Sequence, residues 1–152
     1  MVCKSPLTGG WADSSCGGFF ARNLKKAGYD GIFFEGASRE PVCVYINDDK
    51  VEFMGASDLW GKDSVESEDI LKDKLGKGAE VVTIGQAGEN MSRIAAIMHD
   101  RGRAAARLGV GAVMGSKKLK AVAVSRTHSV SIANEEAYEE ILEKLKADFK
   151  SS

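Results

Sequence analysis

Between Gly102 and Val124 the chain reads GRAAARLGVGAVMGSKKLKAVAV. Gly109, Gly111 and Gly115 punctuate this stretch, Arg93, Arg101, Arg103 and Arg107 lead into it, and Lys117 and Lys118 follow. Glycine allows a backbone to come very close to whatever lies against it and to take the positive φ that other residues avoid. Successive N–H groups in such a turn converge on one point and bind anions. A helix beginning there would add its own unsatisfied N–H groups. Arg107, Lys117 and Lys118 supply formal charge. Two readings follow from the residues alone. One is a grip for a phosphorylated small molecule, and the other is a tight glycine turn between a helix and a strand, with solvated lysines.

The two best-known phosphate motifs do not fit. A P-loop requires lysine directly after its last glycine, and here Ser116 separates Gly115 from Lys117. A dinucleotide fingerprint requires G-x-G-x-x-G after a β-branched run, whereas these glycines are one residue too widely spaced and follow an Arg/Ala segment.

The 152 residues are enough for one domain with a real core. A net charge of −1 gives no bulk field that would attract nucleic acid or a membrane surface. No apolar run is long enough to span a bilayer, and the N-terminus lacks the apolar stretch of a signal peptide. The 17 glycines against 2 prolines exceed the usual glycine share of about 7%. Cys3, Cys16 and Cys43 are scattered and contain no C-x-x-C pair, which points to a reduced, cytoplasmic setting without a protein-ligated zinc or cluster.

Taken in order, Thr8–Gly18 is a loop carrying the N-cap types Asp13, Ser14 and Ser15. A helix is expected from about Gly17 to Ala27, with Phe20, Leu24 and Ala27 on one face and Gly28 as its left-handed cap. Gly31–Glu35 reads as a short buried strand whose terminal Glu35 is more simply solvated than catalytic. Val42–Asn47 and Val51–Met54 read as strands joined by a polar turn at Asp48–Lys50, with Cys43 a small core residue. Asp58–Gly61 makes a brief helical turn. Asp63 and Glu66 have capping-box spacing ahead of a helix ending at Gly76, its inner face marked by Leu71 and Leu75 and its charged residues forming a solvated face. Glu80–Ile84 is a strand, Gly85–Gly88 a tight loop, and Asn90 a cap. Met91, Ile94, Ala95 and Met98 then show helical spacing, placing His99 exposed or half-exposed near a helix end. Ala121–Ser125 closes the last strand, residues 127–133 form a linker, and a Glu/Lys-rich helix runs from Asn134 to Phe149 with little to pack on. The order of elements gives an α+β fold, with strands as the base and helices to one side.

Five blocks, SPLTGG at Ser5–Gly10, GGFFARNLKKAGYDGIFFEG at Gly17–Gly36, LWGKD at Leu59–Asp63, IGQAGENMSRIAAIMHDRGRAA at Ile84–Ala105, and the opening stretch itself, share one resemblance. In this order they resemble the N-terminal domain of tungsten-containing aldehyde:ferredoxin oxidoreductases over roughly Lys4–Arg126. The resemblance implies a pterin-binding domain over residues 1–126, truncated at its start relative to the family, with mixed sheets in two halves related by approximate two-fold symmetry. Residues 134–152 would begin a following helical domain.

By the same resemblance, Ser15, Cys16, Gly17 and Gly18 stand at one pterin-phosphate segment, and Arg107, Leu108, Gly109, Val110 and Gly111 at the other. The backbone carbonyls of Ser15 and Leu108 would face a magnesium ion bridging the phosphates. Ser15 stands where the family often has Asn, and Leu108 is bulkier than the residue usual at its position. The implied cofactors are a tungsten or molybdenum bis-pterin, that magnesium, and a 4Fe-4S cluster with ligands outside the chain. The implied partners are ferredoxin, an aldehyde and the remaining domains of the same enzyme, with a homo-oligomer allowed and neither nucleic acid nor membrane. The family's catalytic acid and histidine fall beyond Ser152, so no catalytic residue is assigned and the chain alone is expected to be inactive. A stand-alone pterin- or nucleotide-binding module, or a non-catalytic fragment, is the alternative. If one ligand is held by both segments, they must lie side by side in the fold.

Overall fold

The computed structural model describes residues 1–151. Its strands are β1 (Val2–Lys4), β2 (Trp11–Asp13), β3 (Val42–Asn47), β4 (Lys50–Gly55), β5 (Glu80–Thr83), β6 (Ile97–His99), β7 (Arg103–Ala105) and β8 (Leu119–Ser125). Its helices are α1 (Phe20–Lys26), α2 (Ser64–Leu75), α3 (Gln86–Glu89), α4 (Val110–Ser116) and α5 (Glu135–Ser151). β1 and β2 make a separate antiparallel hairpin. The other six strands form one mixed sheet in the order β4-β3-β8-β5-β6-β7, in which only the β3–β8 pair is parallel.

β8 lies inside the sheet and divides two cores. Its alternation is the reason: Val122 and Val124 point to one face, and Ala121 and Ala123 to the other. On the valine face, Leu24 and Ala27 of the α1 end and Val110 and Met114 of α4 cover Val44, Ile46 and Val82. On the alanine face, the small side chains leave room for Leu59 and for Leu71 of α2, beside Cys43 and Val81. The α+β class and mixed sheet are therefore observed. Helices to one side describes α1 and α4, while α2 lies on the opposite face.

Several local expectations hold. Asp63 caps α2 by accepting the Glu66 N–H at 2.8 Å, and Gly76 ends the helix at φ 100°. The β3–β4 hairpin turns at Asp48–Asp49, with Asn47 opposite Lys50. Gly28 takes φ 96° after α1. Asn134 caps α5 through the Ala137 N–H at 3.0 Å, and no residue of α5 is buried.

Others are corrected. Gly31–Glu35 is not a strand: Ile32 and Phe34 pack on the valine-face core with the right alternation, but no neighbouring strand pairs with the segment, and Phe33 is fully exposed. Glu35 is exposed. Met91–Met98 is not a helix. Ala95, Ile97 and His99 are buried in alternation and lead into β6, while Ile94 is 72% exposed. A tertiary bond accompanies the extended path, because the Ala95 carbonyl accepts the N–H of Gly111 at 2.9 Å. His99 is accordingly 1% exposed within a strand, not at a helix end. Asn90 follows the short helix α3 and does not cap a new one. α1 starts at Phe20 with no side-chain cap, because Asp13 belongs to β2 and Ser14 is bonded elsewhere. The face of α2 includes one buried acid. Glu68 is 1% exposed, accepts from Lys72 Nζ at 2.6 Å and from the Arg101 backbone N–H at 3.0 Å, and so ties α2 to the β6–β7 turn. Burial by itself would lower the Lys72 pKa, yet the bond and charge of Glu68 leave it raised.

Burial pushes the Cys43 thiol up to about 11 from an ordinary 9.0. A thiol with a raised folded-state pKa favours the folded state fully below pH 9 and loses that contribution as pH rises from about 9 toward 11. Alkylation of the folded chain near pH 8 should therefore modify half-buried Cys3 and Cys16 first, with Cys43 reacting only after denaturant is added, as peptide mass spectrometry would read. Truncation after Ser131 should leave the midpoint of urea unfolding unchanged, since α5 buries nothing; a fall in the midpoint would show that α5 is part of the cooperative unit.

Candidate functional site

The two candidate segments, about ninety residues apart in sequence, are bonded together. Ser14, 1% exposed, accepts the backbone N–H of Arg107 on its Oγ at 3.1 Å. Ser15, Gly17, Gly18 and Arg107 are exposed, and Cys16 and Leu108 are half-buried. Burial raises the Cys16 thiol pKa above its usual value, against an opposing pull from the Arg103 charge.

Gly109, Val110 and Gly111 are buried, and the structure accounts for the two glycines by protein packing. Leu108 at φ 63° and Gly109 at φ 73° are consecutive left-handed residues that turn the chain from β7 into α4. A Cβ on Gly109 would lie 2.2 Å from the Arg93 carbonyl oxygen and 2.8 Å from Pro6 Cγ. On Gly111 it would lie 2.4 Å from the Ala96 oxygen, and on Gly115 1.8 Å from the Gly88 oxygen. Gly111 and Gly115, one helical turn apart, thus let α4 press backbone to backbone on residues 88–96. The Gly111 N–H is already used by Ala95. The Leu108 carbonyl accepts from the hydroxyl of buried Ser5 at 2.9 Å, which leaves one lone pair for another partner. Ser5 Oγ also accepts the N–H groups of Leu7 and Thr8, so the SPLTGG block is a brace for Leu108.

Next to the first segment stands His99, which the sequence left unassigned. Its Nδ1 bonds the Val81 carbonyl at 2.8 Å, and its Nε2 accepts the Phe19 N–H at 3.2 Å. The two bonds together define a neutral ring with the proton on Nδ1. Gly18, at φ 97°, has no Cβ because the His99 ring would meet it at 2.5 Å. The same ring lies edge-on to Phe20, with centroids 6.3 Å apart. A cavity of about 750 Å³ opens here, with Ser15, Cys16 and Gly17 at one side, Lys117 among its lining residues, and Phe20, Leu24, Met114 and Val122 on its walls.

A second network had one sequence signal, a lysine inside the alternating apolar strand LKAVAV. Lys120 is fully buried, and its Nζ pairs with Glu89 Oε1 at 2.5 Å and donates to the Lys62 carbonyl at 2.9 Å. Glu89 Oε2 accepts the Gly61 N–H at 2.8 Å, and the Gln86 amide donates to the Gly61 carbonyl at 2.5 Å. The LWGKD block is thereby clamped to α3 and β8. Among the described residues, no three His, Cys, Asp or Glu side chains converge as a metal-binding group. Among the described residues, no helix is long and apolar enough to cross a membrane.

The family model described as aldehyde ferredoxin oxidoreductase, N-terminal domain, matches residues 1–126, and the chain belongs to that family. It is 50% identical over 139 residues to a tungsten-containing aldehyde ferredoxin oxidoreductase of Thermococcus kodakarensis, covering 91% of this chain and 23% of that protein. It is 46% identical over 153 residues to the protein of the same name from Pyrococcus horikoshii, covering 97% of this chain and 25% of the relative. Among solved structures it resembles the active-site complex BamBC of benzoyl-coenzyme A reductase in complex with 1,5-dienoyl-CoA. That match has a TM-score of 0.89 and 46% identity over 96% of this chain and 23% of the other. The chain thus spans about a quarter of the length of these relatives.

The glycine packing has a direct test. Gly115→Ala should destabilise the fold by about 3 kcal/mol, since its Cβ has only backbone to meet. Gly102→Ala, with nothing within 4 Å, should be near neutral. Equal urea midpoints for the two variants would show that α4 does not depend on this contact.

Proposed function

We propose that residues 1–126 form part of the cradle of a bis-pterin cofactor in an oxidoreductase that converts aldehydes to carboxylic acids. The observation that carries this reading is the Ser14–Arg107 hydrogen bond, which holds the two pterin-like segments together at an exposed surface. The chemistry of the groups fits a phosphate-bearing ligand. Arg107 is exposed, and its backbone is bonded to Ser14, the residue before a loop, Ser15–Gly18, whose backbone is bare at two glycines. When bound, the cofactor, with tungsten as its metal or molybdenum in its place, would supply the two-electron chemistry, and a 4Fe-4S cluster with ligands outside this chain would be the route to ferredoxin.

The chain's own residues bind and orient. Arg107 pairs with a phosphate. The Ser15 carbonyl and the Leu108 carbonyl, through its remaining lone pair, would hold a magnesium ion. Gly109, Val110 and Gly111 serve indirectly, by fixing the turn that presents Arg107 and Leu108. Ser5 and Ser14 hold that turn in place from beneath. The remaining domains of the enzyme close the open side of the cavity and bring the acid–base groups and the aldehyde site.

A second reading has its own support. Identity to the benzoyl-coenzyme A reductase complex equals that to the Pyrococcus horikoshii relative, so this domain does not by itself select between aldehyde oxidation and reduction of a coenzyme A-linked ring. The experiment is to purify the full-length protein without oxygen, measure tungsten, molybdenum, iron and pterin, and assay acceptor reduction with aldehydes and ring reduction with benzoyl-coenzyme A. Tungsten with pterin and aldehyde-dependent turnover is the expected result. Turnover with benzoyl-coenzyme A alone would select the second reading, and protein lacking pterin would leave only the binding-module or fragment alternatives. Residues 1–152 expressed alone should show no turnover.

A further inference from the structure

His99 lines the cavity beside the first candidate segment, yet its ring has no polar atom left for a ligand. The neutral imidazole carries one donor and one acceptor, and both are used. Nδ1–H donates to the Val81 carbonyl at 2.8 Å, and Nε2 accepts the Phe19 N–H at 3.2 Å. The Glu80 carboxylate stands 3.6 Å from Nε2, too far to compete for a hydrogen bond. Whatever His99 does for a bound group must therefore run through the backbone it holds.

That backbone is the exit of the Ser15–Gly18 loop into α1. The helix starts at Phe20 with no side-chain cap, and Phe19 is its N-cap residue. In a capping box, the third helical residue reaches back to accept the N–H of the N-cap residue. Here that residue is Arg22, which has no acceptor. His99 supplies the acceptor instead, from a position 80 residues away in the chain. The ring also fits the residues on either side of Phe19. Gly18 takes φ 97°, and a Cβ there would stand 2.5 Å from both Cδ2 and Nε2 of His99. Phe20 meets the ring edge-on, with centroids 6.3 Å apart. Three consecutive residues are thus seated on one buried side chain. β6, which carries it, is paired to β5 and to β7, so the seat is rigid.

We propose that His99 is a positioning residue for the phosphate-binding loop: its Nε2 lone pair fixes Phe19, and so sets the path of the Gly17–Gly18 backbone. This rests on the reading that a pterin phosphate lies at that loop. What the role requires is an acceptor at Nε2 backed by a donor at Nδ1, not an imidazole as such. Glutamine, with one amide oxygen and one amide nitrogen, offers the same pair.

The test uses the full-length protein, as wild type, His99→Phe, His99→Leu and His99→Gln, purified without oxygen. Retained pterin and tungsten are followed during dialysis. Amide hydrogen exchange is read by mass spectrometry on cofactor-free protein. His99→Phe keeps a ring without the acceptor. It should lose pterin about fivefold faster than wild type, the factor expected of one neutral hydrogen bond. Exchange should quicken over residues 15–21 while β3 and β8 keep wild-type protection. His99→Gln should restore both retention and local protection, which a role in filling space alone would not produce. Wild-type retention in His99→Phe, or equal loss in His99→Phe and His99→Gln, would overturn the proposal. His99→Leu replaces His99→Phe if the latter does not fold. The wild type alone gives a further check, since rapid exchange of its Phe19 amide without cofactor would also overturn the proposal. Pterin-free wild-type protein would defeat the reading of the whole site, whereas unchanged retention in the acceptor-free variants would defeat the role of His99 alone.

Discussion

The contact on which the rest of this fold depends is one of backbone on backbone. α4 approaches residues 88–96 so closely that the Cβ positions of Gly109, Gly111 and Gly115 coincide with carbonyl groups of the facing segment. Only glycine permits that distance. The consequence runs outward in both directions. The Ala95 carbonyl is taken by the Gly111 N–H, and from there the chain enters β6 in an extended form. On the other side, the turn at Leu108 and Gly109 is pinned between Pro6 and Arg93, which fixes where Arg107 emerges. A glycine pattern of this kind resembles a ligand-hugging loop, yet here its first role is to let the protein hug itself.

Polar groups complete what the glycines begin. Lys120 sits within the central strand, where an uncompensated charge would be costly, and Glu89 and the Lys62 carbonyl satisfy it. That pair joins α3 to β8 and to the Leu59–Asp63 block, and α3 in turn supports α4 through Gly88. Glu68 does the same on the other face, joining α2 to the turn before β7. Each buried charge therefore lies between an outer element and the strands or turns that carry the candidate site. Removing one partner would leave the other unpaired in a dry setting, so these groups hold the relative position of elements more than they add net stability.

The candidate site was legible in part. Ser15–Gly18 and Arg107 could be singled out from the pattern of glycines and arginines and from the family resemblance, and the fold brings them together through Ser14. The roles of Ser5, Ser14 and His99 could not be read in the same way. Each acts across roughly eighty to a hundred positions of chain, on a backbone group or a missing Cβ, and no local periodicity encodes such a contact. Gly18 is likewise explained only by the fold, since the His99 ring of β6 occupies the space where its Cβ would stand.

What the amino-acid sequence determined by itself was mostly local or binary. The α2 cap, the β3–β4 hairpin, the exposed α5, the buried Cys43 and the inward alternation of β8 follow from side-chain chemistry within a few residues or from a period of two. The tertiary structure decided the cases in which two patterns were satisfied at once. Ile32–Phe34 had a strand's alternation but found no strand to pair with. Met91–Met98 had a helix's spacing, and the same residues also alternate from Ala95 to His99. The second pattern prevailed because β5 and β7 offered backbone partners on both sides of β6, and because Gly111 claimed the Ala95 carbonyl. Which partner a backbone group takes depends on what the fold has brought within reach.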